Sequence, residues 1–511
     1  MIMGDENMET LQHLILHDIS NSEEIEAVKS GAHTLTYAEY RKRINQLAQS
    51  LLDKGIKKDD RVAMLCKNGH ASSIVMFAAL EIGAVVVPVS WQLTPYEMKS
   101  ILAACEPKAV FYGTEFKEIM EEVLPALASS LKLKVVTGTA AETTPEFDAL
   151  LTGSGDTPDV ETVSENDTAL LMFTSGTTGN PKRCMITHGG IYNYVKATLA
   201  YTGRMQNVRF LACHPNYHTS AIICQMVGTM SGTTFIMTDN QDPVENLKLI
   251  EKEKIQTIMA LPVYYTYLLK AWEKHQTDMS SIVYLMTGGT KVPSSLIQQY
   301  RDIGIPLMHG YGSTEAWGIS SWNPQMGMDK AASAGKPMEE VDVRIEDPET
   351  GEVLPQGSIG EVVVTNPFLF KGYEDNEEAT RKVLKDGWFH TGDSGYVDED
   401  GFIYITGRYK DVIIYGGDNI YPDQIEEVIQ QVPGILETAV VGIPDPLYGE
   451  KPKAFIVTNG REGLTEDEVT RFLQERLAAF KIPEIEFVSE LPKNNLGKVR
   501  KDVLRKQAVR S

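Results

Sequence analysis

The sequence lacks several features that mark common protein classes. It has five cysteines in 511 residues, an odd number with no CxxC pair, which argues against a disulfide framework or a zinc site. Its most apolar run, residues 74–89, is broken by Glu81, Gly83 and Pro88, so we expect no membrane span. The chain is therefore expected to keep its thiols reduced and to fold around an ordinary apolar core.

Basic residues are also scarce. The 48 Lys and Arg against 70 Asp and Glu give a formal net charge of −22. Nucleic acids and anionic lipids bind basic surfaces, so we expect no nucleic-acid partner, and an anionic ligand would need a locally positive pocket. The first twelve residues, MIMGDENMETLQ, are acidic and polar, unlike a targeting signal, which predicts a cytoplasmic protein.

Apolar periodicity predicts an α/β fold. Helical and strand patterns alternate through the first half, which favours a mostly parallel sheet with helices on its faces. From about residue 341 short strands bounded by Gly, Pro and Asp predict a small antiparallel unit. The last hundred residues predict an α+β domain whose second helix covers 465–480. We therefore predict a large N-terminal domain of α/β subdomains plus the antiparallel unit (1–406), a hinge (407–410) and a small mobile C-terminal domain (411–511).

The strongest chemical signal is a loop rich in hydroxyls and glycines that follows an apolar strand. It consists of Thr174, Ser175, Gly176, Thr177, Thr178, Gly179, Asn180, Pro181 and Lys182. Such a loop can surround phosphate oxygens with N–H and O–H donors, and Lys182 adds positive charge. Pro181 stands where a Walker loop requires glycine, so this is a different phosphate loop.

Seven further motifs follow the loop. They are Tyr217-His218, Thr287-Gly288-Gly289, Tyr311-Gly312-Ser313-Thr314-Glu315, Gly387-Trp388-Phe389-His390-Thr391-Gly392-Asp393, Gly407-Arg408-Tyr409-Lys410-Asp411, Gly416-Gly417-Asp418-Asn419-Ile420-Tyr421-Pro422 and Pro492-Lys493-Asn494-Asn495-Leu496-Gly497-Lys498. In this order, over most of the chain, the series resembles the adenylate-forming superfamily of acyl- and aryl-CoA synthetases, luciferases and amino-acid-activating domains.

The resemblance implies a two-step reaction. A carboxylate attacks the α-phosphate of ATP to give an acyl-adenylate and pyrophosphate, and a thiol then attacks the mixed anhydride. The partners implied are a small carboxylic acid, ATP and coenzyme A, with Mg²⁺ as activator and no tightly bound organic cofactor. The resemblance leaves a homodimer open.

The resemblance also implies a nucleotide site. The loop residues from Thr174 to Lys182 would hold the β- and γ-phosphates, and Glu315 and Thr174 would ligate Mg²⁺. Tyr311 would stack on the purine, and Asp393 and Arg408 would reach the ribose or the phosphates. The remaining members of this implied site are Gly288, Gly289, Thr290, His309, Gly310, Gly312, Ser313, Thr314 and Ile405.

Five positions are implied to act in the alternation of the two steps. Lys498 would bridge the substrate carboxylate and the α-phosphate, for which a compact ammonium is suited. The C-terminal domain would then rotate about Lys410, because the thiol needs the space that Lys498 occupied. After rotation Gly416 and Gly417 would line the thiol tunnel. His218 would be the gate between tunnel and acid pocket.

The acid pocket is implied to be walled by Tyr217, Thr219, Ile222, Ala316 and Trp317, with Thr287 and His309 beside them. Trp317 would shorten the pocket, or stack on an aromatic or quaternary-ammonium acid. Two positions depart from the superfamily pattern. Arg183 replaces a glycine after the loop lysine, which would change phosphate affinity or face solvent, and Asp418 replaces a longer acidic residue.

We therefore predict an ATP-dependent acyl-CoA synthetase. One alternative is a stand-alone ligase that loads a carrier protein. From a different class, the chain could be a catalytically silent nucleotide-binding homologue.

Overall fold

The computed structural model describes residues 10–17, 24–139, 141–174, 182–202, 207–415, 418–445, 448–460, 464–477, 479–494 and 497–508. The predicted phosphate-loop residues Ser175, Gly176, Thr177, Thr178 and Gly179 lie outside these ranges, as do the predicted tunnel residues Gly416 and Gly417. Of the predicted pivot Lys410 only the backbone is described.

Fifteen α-helices occur within the described ranges. They are α1 (Leu11–His17), α2 (Tyr37–Asp53), α3 (His70–Glu81), α4 (Pro95–Cys105), α5 (Lys117–Val123), α6 (Pro145–Asp148), α7 (His188–Thr202), α8 (Thr219–Ser231), α9 (Pro243–Glu253), α10 (Pro262–His275), α11 (Ser294–Asp302), α12 (Glu377–Val383), α13 (Pro422–Ile429), α14 (Glu466–Gln474) and α15 (Lys501–Ala508). Within those same ranges, every helix falls short of the length or the apolar character that crossing a bilayer requires.

The strands of the first 337 residues are β1 (Glu26–Ser30), β2 (His33–Thr36), β3 (Arg61–Leu65), β4 (Val85–Pro88), β5 (Ala109–Gly113), β6 (Leu133–Gly138), β7 (Thr168–Thr174), β8 (Lys182–Thr187), β9 (Arg209–Ala212), β10 (Thr234–Met237), β11 (Thr257–Ala260), β12 (Leu285–Gly288), β13 (Leu307–Ser313), β14 (Trp317–Trp322) and β15 (Lys336–Pro337). The later strands are β16 (Asp342–Glu346), β17 (Gly360–Thr365), β18 (Gly372–Tyr373), β19 (Leu384–Lys385), β20 (Trp388–Val397), β21 (Ile403–Arg408), β22 (Ile413–Tyr415), β23 (Asp418–Ile420), β24 (Ile435–Asp445), β25 (Gly449–Thr458) and β26 (Glu484–Phe487).

Local sequence explains where several helices begin. The hydroxyls of Thr36 and Thr94 each accept a hydrogen bond from the backbone N–H three residues on. The carboxylates of Glu39 and Glu97 accept from the backbone N–H of these threonines, so capping boxes precede α2 and α4. Pro262 stands at the first position of α10, where a missing N–H costs nothing.

Two mostly parallel sheets form the bulk of the molecule. One has the strand order β18-β8-β7-β4-β3-β5-β6 and the other β15-β14-β13-β12-β11-β9-β10-β1-β2. Their inner strands are parallel and mostly buried, whereas strands at three of the edges pair antiparallel: β8 and β18, β14 and β15, and β2. The predicted α/β class is confirmed, and the alternation divides between two sheets.

The antiparallel unit is also present. It has the order β16-β17-β20-β19, with β21 on β20, and all of these pairings are antiparallel. After β21 the backbone makes a 3₁₀ turn over Tyr409–Asp411 and enters the last sheet, β23-β22-β25-β24 with β26 on β25. The smaller C-terminal domain is therefore confirmed, while its boundaries and mobility stay predictions.

The helix predicted over 465–480 is too long. In the structure α14 ends at Gln474, and a separate 3₁₀ turn follows at Ala479–Lys481. Leu477 and Phe480 pack on the same core as Val469 and Leu473. Apolar spacing reports that these side chains are buried, but it does not report where the helical hydrogen bonds stop.

The C-terminal domain docks on the N-terminal one. Lys291, just after β12, lies with its Nζ 3.0 Å from Oε2 of Glu427 on α13 and 3.3 Å from the Asp423 carbonyl oxygen. A Cβ at Gly497 would lie 3.3 Å from Cδ1 of Leu261, at the start of α10. These contacts bring the loop that carries Lys498 to the edge of the nine-stranded sheet.

Candidate active site

Glycines line the carboxyl ends of β12 and β13, where parallel α/β sheets bind ligands. Gly288 is the register partner of Gly310, and a Cβ on Gly288 would lie 2.6 Å from the Gly310 carbonyl oxygen. Gly289 has a φ of +77°, a conformation that favours glycine. Gly289 and Thr290 are exposed at this edge, together with Gly310 and Gly312. The strands approach closely here and leave backbone facing the cleft.

Tyr311, Asp393 and Arg408 form one hydrogen-bonded cluster. Asp393 is 6% exposed, and its Oδ2 accepts from the Tyr311 hydroxyl at 2.5 Å. Its Oδ1 lies 2.6 Å from Nε of Arg408, its register partner on β21. Burial raises the pKa of Asp393, and Arg408 opposes that rise. Since each carboxylate oxygen has further lone pairs, Asp393 can still accept ribose hydroxyls in this arrangement.

The phosphate loop leaves β7 at Thr174 and returns at Lys182, which are register partners. Thr174 is half-buried, and Lys182 places its Nζ 4.5 Å from the centre of the Tyr373 ring. The two described ends of the loop therefore face each other, and one cation stands at its return.

Glu315 lies beside the loop. Its Oε1 accepts from the Tyr373 hydroxyl at 2.8 Å, and its carbonyl oxygen accepts from the Phe370 N–H at 2.7 Å. Among the described residues, no group of three His, Cys, Asp or Glu could hold a metal ion. Mg²⁺ is commonly held by one or two carboxylates plus substrate phosphates, so the Glu315 carboxylate fits Mg²⁺ brought in with ATP. The predicted role of Thr174 stays a prediction.

Two stacked histidines precede α8. The rings of His214 and His218 are 4.8 Å apart at 18°, and Tyr217 packs on His218 at 4.4 Å. Burial lowers the pKa of His214 to about 4. Burial, His214 and then Lys498 hold the pKa of His218 well below its usual value, so both imidazoles are neutral at pH 7.

Lys498 lies near the nucleotide cluster. Its charge acts on His218 and also on Asp393, whose pKa it helps to lower against the effect of burial. Its loop is closed locally, because the Lys498 N–H donates to Oδ1 of Asn494 at 2.9 Å and the Lys498 carbonyl oxygen accepts from the Asn494 N–H at 2.8 Å. The structure therefore brings together Lys498, His218 and Asp393, which are far apart in the chain.

The residues predicted for the acid pocket surround the start of α8. Thr219 Oγ1 lies 3.1 Å from Oγ1 of Thr314, and Tyr217, Ile222, Ala316 and Trp317 are buried. Trp317 has a φ of +57° and packs on the Tyr194 ring at 5.1 Å. Among the described residues, its buried indole Nε1 has no hydrogen-bond partner. A bulky residue in this conformation is strained, which marks Trp317 as a position held by its surroundings.

Four other residues predicted for the site are buried or half-buried. His309 is buried and stacks on Trp322 at 5.2 Å, Thr287 is buried, and Ser313 accepts from the Ala316 N–H at 3.2 Å. Ile405 is half-buried on β21, three residues before Arg408. The predicted roles of these four residues stay predictions.

A cavity of about 30 Å³ lies between α8 and the nine-stranded sheet. It is lined by Asn68, Ser72, Phe210, Ala212, His214, Asn216, Ala221, Cys224, Gln225, Phe235, Met237 and Met259. None of the predicted acid-pocket residues lines it. Sequence reasoning missed this cavity because its lining comes from five separate segments, of which only the two that flank Tyr217-His218 lie next to a motif.

Arg183 neither faces solvent nor points along the loop. Its Nε lies 2.6 Å from Oε2 of Glu374, and its terminal nitrogen lies 2.5 Å from Oδ2 of Asp375. Arg61 pairs with the other Glu374 oxygen at 2.7 Å. The expectation that Arg183 faces solvent is therefore wrong, because acidic partners almost 200 residues later in the chain hold it. The expectation that it changes phosphate affinity stays a prediction.

Comparison with known proteins agrees with this geometry. The family model described as AMP-binding enzyme matches residues 17–374, and the model described as AMP-binding enzyme C-terminal domain matches residues 424–498. The chain belongs to the AMP-binding enzyme family. The resemblance drawn from the motifs is thus confirmed.

Individual relatives match over nearly the full length. The chain is 75% identical over 504 residues to YdaB of Bacillus subtilis (strain 168), an acyl-CoA ligase by name, with 99% of this chain and 100% of that one covered. It is 36% identical to a feruloyl-CoA synthase of Amycolatopsis sp, covering 94% and 95%. The crystal structure of ATP-bound MatB from Rhodopseudomonas palustris superposes with a TM-score of 0.89 at 27% identity, covering 98% of each chain.

Proposed function

We propose that this protein is an ATP-dependent acyl-CoA synthetase, which converts a carboxylic acid, ATP and CoA into acyl-CoA, AMP and pyrophosphate. The observation that carries the proposal is the position of Lys498, whose charge reaches both His218 and Asp393 across the domain boundary. Relatives named as CoA ligases and synthases over nearly the full length support the same activity.

In the first step Lys498 would stabilise the negative charge that develops as the carboxylate attacks the α-phosphate. With Asp393 and Arg408 holding the ribose, an acid carboxylate near His218 would attack the α-phosphate, and Lys498 would stabilise the oxyanions of the transition state. The neutral His214–His218 pair places no competing positive charge beside it. Mg²⁺ held by Glu315 and Thr174 would neutralise phosphate charge and help pyrophosphate to leave.

In the second step a thiol needs the position that Lys498 occupies. Two described contacts tie the Lys498 loop to the C-terminal domain: the backbone bonds between Lys498 and Asn494, and the Lys493–Glu437 ion pair at 2.6 Å. It can therefore leave with that domain as a unit. We propose Lys410 as the pivot and Gly416 and Gly417 as part of the tunnel for CoA.

The test is a pyrophosphate-release assay over a panel of carboxylic acids. We expect release with at least one acid, and product analysis by mass should then show a CoA thioester. Release followed by transfer only to a carrier protein would favour the stand-alone ligase. Failure of every acid to release pyrophosphate would favour the silent nucleotide-binding homologue.

The proposed tunnel has its own test. Gly417→Leu should leave pyrophosphate release intact and stop thioester formation, because a side chain would obstruct the thiol. Unchanged overall turnover in that variant would remove the tunnel assignment.

A further inference from the structure

Tyr373 is a buried side chain that contacts two predicted phosphate-site residues at once. It is 6% exposed. Its hydroxyl donates to Oε1 of Glu315 at 2.8 Å, while its ring face lies 4.5 Å from Nζ of Lys182. Among the described residues no other side chain hydrogen-bonds to the Glu315 carboxylate, so its orientation depends on this one hydroxyl.

Tyr373 is itself fixed against the strand that begins with Lys182. It pairs in register with Cys184, and the Glu374 N–H donates to the Arg183 carbonyl oxygen at 2.8 Å. The Arg183–Glu374 ion pair joins the same two segments through side chains, and the Arg61–Glu374 pair ties Glu374 to β3. The ring therefore has little freedom to move relative to the return of the phosphate loop.

The chemistry of the two contacts suits a site for a metal–triphosphate complex. An aromatic face attracts an ammonium without neutralising it, so Lys182 keeps its charge for phosphate oxygens. A hydroxyl donor occupies a single lone pair of Glu315, so the carboxylate keeps its charge and further oxygen sites for a cation. A salt bridge between Lys182 and Glu315 would instead remove both charges from the site.

We propose that Tyr373 is a positioning residue for the triphosphate half of the site, with its hydroxyl directing Glu315 toward the metal and its ring directing Lys182 toward the β- and γ-phosphates. This rests on the proposed function, because it assigns the phosphates and the metal to these side chains. The Arg183–Glu374–Arg61 ion pairs belong to the same device, since they hold the tyrosine in place.

Two substitutions separate the two contacts. Tyr373→Phe keeps the ring and removes the hydroxyl, and Tyr373→Leu removes both. The probes are Mn²⁺, followed by electron paramagnetic resonance, and α,β-methylene-ATP and AMP, followed by calorimetry, none of which needs acid or CoA. Tyr300→Phe is the matched control, because its buried hydroxyl donates to the Tyr265 carbonyl oxygen at 2.8 Å away from the site.

We expect Tyr373→Phe to weaken Mn²⁺ binding to the α,β-methylene-ATP complex about tenfold, as for loss of a hydrogen bond to a charged group. Its affinity for α,β-methylene-ATP in EDTA should stay unchanged. Tyr373→Leu should lower that metal-free affinity about threefold as well. AMP, which lacks the β- and γ-phosphates, should bind both variants and the control like the wild type.

Wild-type Mn²⁺ affinity in Tyr373→Phe would overturn the positioning role while leaving the proposed function intact. An equal loss of AMP binding would also overturn it, because that would indicate general damage to the fold. A wild-type protein that binds neither nucleotide would overturn the proposed function, and this role with it. Tyr373→Phe changes one atom, so the test stands even where Tyr373→Leu does not fold.

Discussion

The two halves of the candidate site are built differently. On the N-terminal side, the Asp393 cluster and the Tyr373–Glu315 pair are held by side-chain contacts of 2.5–2.8 Å within buried sheet edges. On the C-terminal side, Lys498 is exposed, and its backbone N–H and carbonyl oxygen bond to Asn494 of the same domain. The N-terminal half is therefore assembled in advance, whereas Lys498 arrives with a docked domain.

The ion pair that docks the C-terminal domain contributes little free energy. The Lys291–Glu427 pair leaves both side chains about two-fifths exposed, and exposed pairs contribute less than about 1 kcal/mol. Interfaces of this kind within a chain permit domain motion. This difference suits a reaction in which the nucleotide site persists through both steps and the lysine serves only the first.

Lys498→Ala should have the largest effect of the substitutions that test this comparison. Loss of the cation should slow adenylate formation about 10³-fold, as for loss of a main oxyanion partner. Transfer of a supplied acyl-adenylate to CoA should remain. Lys506→Ala, on the exposed face of α15, is the control for a lost lysine in the same segment. Equal slowing of both steps would contradict the role given to Lys498.

Asp393→Asn tests the preassembled half. The substitution removes the buried charge that pairs with the half-exposed Arg408, so kcat/KM for ATP should fall about 10²-fold and both steps should be slower. Steady-state kinetics with ATP varied measure this. The control is Asp398→Asn, whose carboxylate pairs with Lys330 at 2.8 Å outside the site. An effect confined to the first step would remove the distinction between the two halves.

Trp317→Gly tests whether the acid pocket belongs to the rigid half. Loss of a buried indole should lower the free energy of unfolding by roughly 3 kcal/mol, and release of the strained positive φ should restore about 1 kcal/mol of it. Urea unfolding measures this change. The variant should also accept longer acids than the wild type in the acid panel. Trp272→Ala, on α10, is the control for loss of a tryptophan that packs against the core. An unchanged acid profile in Trp317→Gly would place the Trp317 ring away from the acid.

Lys291→Met should have the smallest effect. It removes the docking ion pair, so adenylate formation should slow about twofold to threefold at low salt and show no difference at high salt, where such pairs are screened. Lys248→Met, which breaks the exposed Lys248–Glu245 pair within α9, is the control. A loss as large as that of Lys498→Ala would mean that docking is not weak.

Much of the fold could be predicted from local pattern. The apolar spacing of residues 37–54 predicts a helix, and α2 begins and ends within one residue of that range. The run 257–260 predicts a strand, and β11 matches it. Both agree because capping and apolar spacing act over a few residues. The division of the strands between two sheets could not be predicted. Strand pairing depends on contacts between distant segments, which neither periodicity nor turn residues encode.

The residues of the site also fall into two groups, those that local motifs reveal and those that only the packed structure reveals. Residues inside contiguous motifs, such as Asp393 and Arg408, could be named from the sequence and lie in one cluster. Tyr373, the partners of Arg183 and the cavity beside α8 could not, because each joins segments that are remote in the chain.

The sequence by itself determined the family, the order of its motifs and which residue types are available for phosphate chemistry, since these depend on contiguous residues. Three features follow only from the packed fold: which oxygen of Asp393 accepts from Tyr311, what holds Glu315 and Lys182, and that the charge of Lys498 reaches His218. Those outcomes depend on sheet register and on domain docking, which arise from the packing of whole elements.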